Sequence, residues 1–218
     1  SCYAFIAARS QAKVLKGQPK APKKTLAFGV IIKQPVFIFL TLLTFGYGAV
    51  EFGNANWFVS YAQNGLGFTG EQSRNLLAFF TAGMVISRLT FPFLLRFVSV
   101  HRMIVIMATA SLAGVFALKL MPSFYGIGAG NLLLGLGLGG LFPLALSAAM
   151  NIDSDNGPVL SGISIIGNST GVQVASFSTG LWANFAPLTT AFWVIPLGGC
   201  VLWLASYGYS RKIKYHRS

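Results

Sequence analysis

Apolar residues run along this chain in long stretches, separated by short polar connections. A helix that crosses a bilayer needs ~20 mostly apolar residues. Six segments meet that length, over roughly 35–63, 73–98, 101–121, 124–150, 158–185 and 189–210. Pro35, Pro122, Pro158 and Pro187 fall near segment ends, where proline is tolerated because a helix end has a free place for a residue without an N–H. The pattern predicts an all-α, polytopic membrane protein with a six-helix bundle over 35–210, preceded by a basic linker at 9–34 and followed by a basic tail at 211–218. The first eight residues, SCYAFIAA, are apolar but too short to span and lack a basic n-region. They read as the remnant of a preceding transmembrane helix in a chain that has been cut or processed.

Composition agrees with the bilayer as solvent. Only 9% of residues are charged and 54% are hydrophobic, with a mean hydropathy of +0.66. Soluble chains carry about a quarter charged residues, so a soluble fold would lack the charges to cover its surface. The net charge of +12 would fit nucleic acid only if the basic residues formed one face interleaved with aromatics. Instead they sit in connections and at the two ends, the placement that the positive-inside rule produces. Nucleic acid is therefore not an expected partner. One crossing per helix puts the linker, the 96–102 connection with Arg96 and Arg102, the 151–157 connection and the tail on one side, and leaves only Arg74 and Lys119 on the other. Linker and tail are expected to be cytoplasmic.

Glycine is frequent, at 25 residues, and many fall within the apolar segments. Gly126/Gly130, Gly135/Gly139 and Gly167/Gly171 have the small-xxx-small spacing that lets helices approach closely in lipid. The run GLGLGG at 135–140 echoes a dinucleotide loop, but no strand precedes it and no acidic residue follows it, so no cofactor is expected. Cys2 and Cys200 lie far apart in apolar sequence and imply neither a disulfide framework nor a metal site.

The chain has four acids, and Glu51 alone falls deep in a span. A charge there costs ~3 kcal/mol or more on insertion scales, so such a residue usually faces a cavity, a partner or a proton path. Tyr47, Glu51, Asn54 and Phe58 share one helical face, with Trp57 and Tyr61 nearby. Acid, amide and rings on one stripe suit a polyhydroxylated ligand: acid and amide bond hydroxyls, and rings stack on C–H faces. The same stripe also suits a helix–helix contact in which Tyr47 merely satisfies Glu51. Asn131, Asn168 and Gln173 are further polar candidates, either lining a cavity or bonding between helices. Arg88 either snorkels to the interface or pairs with Asp153 or Asp155 as a conformational latch.

Enzyme chemistry lacks its parts. Both histidines, His101 and His216, lie outside the spans, no paired membrane aspartates exist, and no intramembrane base could activate a serine. A non-transporting receptor or structural membrane protein stays open, as does a homodimer that works alone.

Several stretches resemble the second half of a major facilitator superfamily transporter, and more narrowly its fucose-permease-like sugar carriers. GYGAVEFGNANWFVSY at 46–61 resembles the family's seventh helix, and LLAFFTAGMVISRL at 76–89 its eighth, with Ser87-Arg88 where Gly-Arg is usual. GLGGLFPLALS at 137–147 is similar to the tenth-helix Gly-x-x-Phe-Pro segment, and LSGISIIGNSTGVQVASFSTG at 160–180 to the eleventh. RFVSVHR at 96–102 departs from the pattern, with Arg96 near the place of a common aspartate. The resemblance implies one half of the fold, joined to an N-terminal six-helix half and moving a small sugar-like solute by alternating access, with proton coupling as an option. It also implies that Glu51, Tyr47, Asn54, Trp57, Asn131, Asn168 and Gln173 line the path and that Arg88 and Asp153 gate it.

Overall fold

The computed structural model describes residues 33–153 and 155–217, together with Gly29, with side chains to residue 213. The expected helix remnant at 1–8, nearly all of the linker at 9–34 and the last residue of the tail lie outside the described residues. Within them every regular element is helical. The helices are α1 (Pro35–Ser60, continued by a π-helical turn at Tyr61–Gly65), α2 (Gly70–Leu94), α3 (Val100–Leu120), α4 (Phe124–Leu138), α5 (Leu141–Met150), α6 (Gly157–Ala183), the short α7 (Leu188–Ala191) and α8 (Val194–Arg217).

Local chemistry sets the boundaries. Proline at the first position opens α1, where its missing N–H and fixed φ cost nothing. Gly67, at φ +79°, takes the left-handed conformation that turns the chain toward α2. Thr69 and Gln72 then form a reciprocal capping box that satisfies two orphan N–H groups at the start of α2. The fourth expected span is two helices. Gly139 and Gly140 break it, and Pro143 follows, which has no N–H for the carbonyl four residues back.

Among the described residues, five stretches are long and apolar enough to cross a membrane: Pro35–Gly65, Gly70–Leu94, Val100–Leu120, Phe124–Met150 and Leu188–Ile213. The chain is thus an all-helical integral membrane protein. The fifth expected span, 158–185, differs. It is a helix of 27 residues, ~40 Å at 1.5 Å per residue, and it carries no charge, but its Ser, Thr, Asn, Gln and Gly content keeps it below the apolarity of the other five.

Glycines fix how the helices pack. On α4, Gly135 rests on the Phe80 carbonyl and Gly139 on the Met84 carbonyl, so a Cβ at either would overlap α2 main chain. Gly137 meets Ser111 of α3 in the same way, and Gly114 of α3 meets Leu134. On α6, Gly171 lies against the Phe45 carbonyl and Gly167 against Thr41 and Thr44 of α1, in parallel register that continues through Ala175 beside Gly53 and Gly180 beside Trp57. α1 therefore sits centrally, touching α2, α5, α6 and α8. Backbone-to-backbone approach of this kind gives dispersion contact and weak Cα–H···O bonds, which hold helices together where lipid removes the hydrophobic drive.

Candidate functional site

The site grows from α1 and α2. Tyr47 is buried, 3% exposed, because its ring stacks on Phe142 of α5 at a centroid distance of 5.3 Å. That packing fixes the ring and leaves its hydroxyl close to both Glu51 and Arg88. Glu51, one turn further along α1, is half-buried and feels the Arg88 charge. Tyr47 can donate to the acid while accepting from the guanidinium. Acid and base thus face each other through a phenol rather than as a direct ion pair.

The main chain places Arg88. Its Nε–H donates to the Gly139 carbonyl at 3.3 Å. Within a regular helix that oxygen would accept the N–H of residue 143, but Pro143 has none to give. The helix break therefore supplies an acceptor for the guanidinium. The Arg88 side chain is otherwise exposed.

The sequence-predicted residues do not all meet here. Asn54 and Asn131 are both 0% exposed and bond each other across α1 and α4, Nδ2 to Oδ1 at 3.1 Å. Their remaining atoms, Asn54 Oδ1 and Asn131 Nδ2, are buried without a partner. The stripe expected to face a ligand is thus mostly a packing face: Tyr47, Asn54 and Phe58 point into neighbouring helices, and Glu51 stands at its edge. Asn168 presses its main-chain and side-chain oxygens against Gly48, next to Tyr47 in sequence, and its Oδ1 has no partner. Trp57 lies over Gly180 further along the α1–α6 seam, beside a 3.4 Å bond from Asn56 Nδ2 to Ser176 Oγ. Gln173 is exposed on α6.

The expected latch is not formed in this structure. Asp153 Oδ1 accepts the Asp155 N–H at 3.1 Å, and its Oδ2 accepts Asn156 Nδ2 at 3.0 Å. The carboxylate organises its own loop at the start of α6, while Arg88 turns to Tyr47, Glu51 and Gly139.

A second polar centre escaped the sequence reading. Lys119, at the end of α3, stands 5.1 Å from the Tyr61 ring centroid and 5.2 Å from that of Trp193, and it donates to the Thr189 carbonyl. Tyr61 in turn stacks on Phe192 at 4.1 Å and donates its hydroxyl to the Leu118 carbonyl at 3.1 Å. The cage ties the ends of α1, α3, α7 and α8. Only the rings' chemistry was visible in the sequence, since the partners come from three distant segments.

Fold and site together define a polytopic helical membrane protein with a half-open acid–phenol–guanidinium cluster inside apolar helices. No family model, curated protein or solved structure matches the chain.

Proposed function

We propose that this chain is the carboxy-terminal six-helix half of a secondary transporter of the major facilitator type, akin to fucose-permease-like carriers, and that it moves a small sugar-like solute by alternating access. The observation that carries the proposal is the Tyr47–Glu51–Arg88 cluster. Ionisable groups within spans are costly and are kept where they face a path or a partner. A solute hydroxyl can replace the Tyr47 hydroxyl as bridge, donating to Glu51 and accepting from Arg88 in one contact. A proton on Glu51 would change that exchange, which gives a physical route for proton coupling.

Two further features support the reading. α6 lies in parallel register along α1 through residues 41–57, so the more polar helix counts as the sixth crossing, and its polarity suits a wall of a water-filled path. The exposed Gln173, Phe177 and Leu181 of α6 and the exposed Val85, Arg88 and Leu89 of α2 suit contact with an N-terminal half across that path. Both described ends of the chain face the cytoplasm in this scheme.

Uptake of a labelled monosaccharide panel by the full-length parent in proteoliposomes, with and without an inward proton gradient, tests the function. Gradient-driven uptake by wild type should fall about tenfold to hundredfold in Glu51→Gln, the size of a lost charge-assisted hydrogen bond. Unchanged uptake in the variant would reduce Glu51 to a structural acid. Absence of uptake for every sugar would point to another solute or to a non-transporting receptor.

A further inference from the structure

At the end of the bundle where α1 and α3 begin and α5 and α8 finish, the helix ends line a half-open cavity of about 700 Å³. That volume falls within the ~300–1,000 Å³ usual for small-molecule sites. Its walls are mostly apolar, with Val36, Ala148, Ile152 and Ile213 among them, and the polar groups of Gln34 and Asn151 stand among them. It is remote in sequence from the Tyr47–Glu51–Arg88 cluster and shares none of its residues.

The charge beside this cavity is mainly positive. Lys33 precedes the lining residue Gln34, and Lys212 lies between the lining residues Tyr209 and Ile213, one helical turn after the first. Both lysines are exposed, and no hydrogen bond or ion pair engages either of them among the described residues. One acid, Asp153, adjoins the lining residue Ile152, and its oxygens accept from the Asp155 N–H and from Asn156 Nδ2, which directs it into its own loop. Arg211, the neighbouring cation, is turned aside over the Tyr207 ring at 5.3 Å. A mostly apolar cavity whose lining residues are flanked in sequence by two exposed, uncommitted lysines has the chemistry of neither a sugar site nor a peptide groove. It matches a molecule with an acyl chain and a negative headgroup. Basic pockets between spanning helices are where anionic lipid headgroups bind.

We propose that this cavity is a binding site for an anionic phospholipid, whose acyl portion fills the space between α1, α5 and α8 while its phosphate meets Lys33 and Lys212. A bound lipid would bridge the four helix ends that line the cavity, so occupancy stabilises the bundle. Zwitterionic lipid offers the same tail without the net charge and should compete poorly.

The test uses the full chain purified in a neutral detergent, with native mass spectrometry for retained lipid and thermal unfolding for its effect. Phosphatidylglycerol, phosphatidylcholine with the same chains, and glycerol phosphate without chains are titrated in turn. Retention of phosphatidylglycerol with a rise in unfolding temperature, and no response to the other two, is the expected result. Lys33→Glu with Lys212→Glu should weaken phosphatidylglycerol retention by about ten- to thirtyfold, given the usual contribution of each basic group near anionic lipid. Ala148→Leu, a milder change, should weaken it by filling the chamber. Arg96→Glu, an exposed cation held over Phe93 at the same end, should leave it within about twofold. Equal retention of phosphatidylcholine, an equal response to glycerol phosphate, or an equal loss in Arg96→Glu would each overturn the proposal. The last would show general surface attraction in place of a site.

Discussion

Arg88 and Lys119 both belong to apolar helices of this bundle, and the fold satisfies them in opposite ways. Lys119 is enclosed by the faces of Tyr61 and Trp193 and by the Thr189 carbonyl, groups that keep their character at any pH of interest. Arg88 reaches one main-chain carbonyl and otherwise faces an acid and a phenol across a half-open edge. A closed set of neutral partners makes a clamp. An incomplete set of ionisable partners makes a site whose bonding changes when something else arrives.

The strongest way to break this contrast is to remove the scaffold beneath one side of it. Gly135→Leu drives a side chain into the Phe80 carbonyl and separates α2, which carries Arg88, from α4, which leads to Gly139. Overpacking of that kind should cost about 3 kcal/mol, seen as a collapse of the thermal transition and of expression. A milder pair of changes sharpens the contrast directly. Lys119→Met should lower stability by about 2 kcal/mol through lost cation–π contacts and an orphaned carbonyl, with solute affinity unchanged in binding assays. Arg88→Gln should do the reverse, with a smaller shift in unfolding temperature and at least ~10-fold weaker solute binding. Equal stability losses in the two variants would erase the distinction. The smallest expected effect is that of Pro143→Ala. It returns an N–H to compete for the Gly139 carbonyl, so solute affinity should fall a few-fold while the fold is retained, as circular dichroism can show.

Much of the architecture was legible because hydrophobic length is a direct physical requirement of a bilayer. All six expected segments are helical, the fourth and the sixth as two helices each, and most of their limits differ from the expected ones by a few residues. The polar α6 shows where that reasoning thins: a helix covered on one side by α1 can shed hydrophobicity, and hydropathy then understates its role. The break at Gly139–Gly140 was invisible to hydropathy, although Pro143 marked it. For the site, helical periodicity correctly grouped Tyr47, Glu51, Asn54 and Phe58 on one face, but periodicity does not say what covers a face. Asn54 turned out to meet Asn131, 77 residues away, and Glu51 to lie within the field of Arg88 without a direct ion pair. The Lys119 cage was missed for the same reason, since no local pattern connects residues 61, 119 and 193.

The proline after the helix break has one more consequence. By withholding an N–H, Pro143 turns the peptide group of Gly139 into the standing counterpart of Arg88. A peptide dipole takes up no proton, loses none and cannot be deleted by exchanging a side chain. Changes in acidity that would neutralise Glu51 leave this anchor as strong as before. The guanidinium therefore keeps its place when its acidic neighbour changes state, and the one residue able to withdraw the anchor is a proline that need not touch the arginine at all.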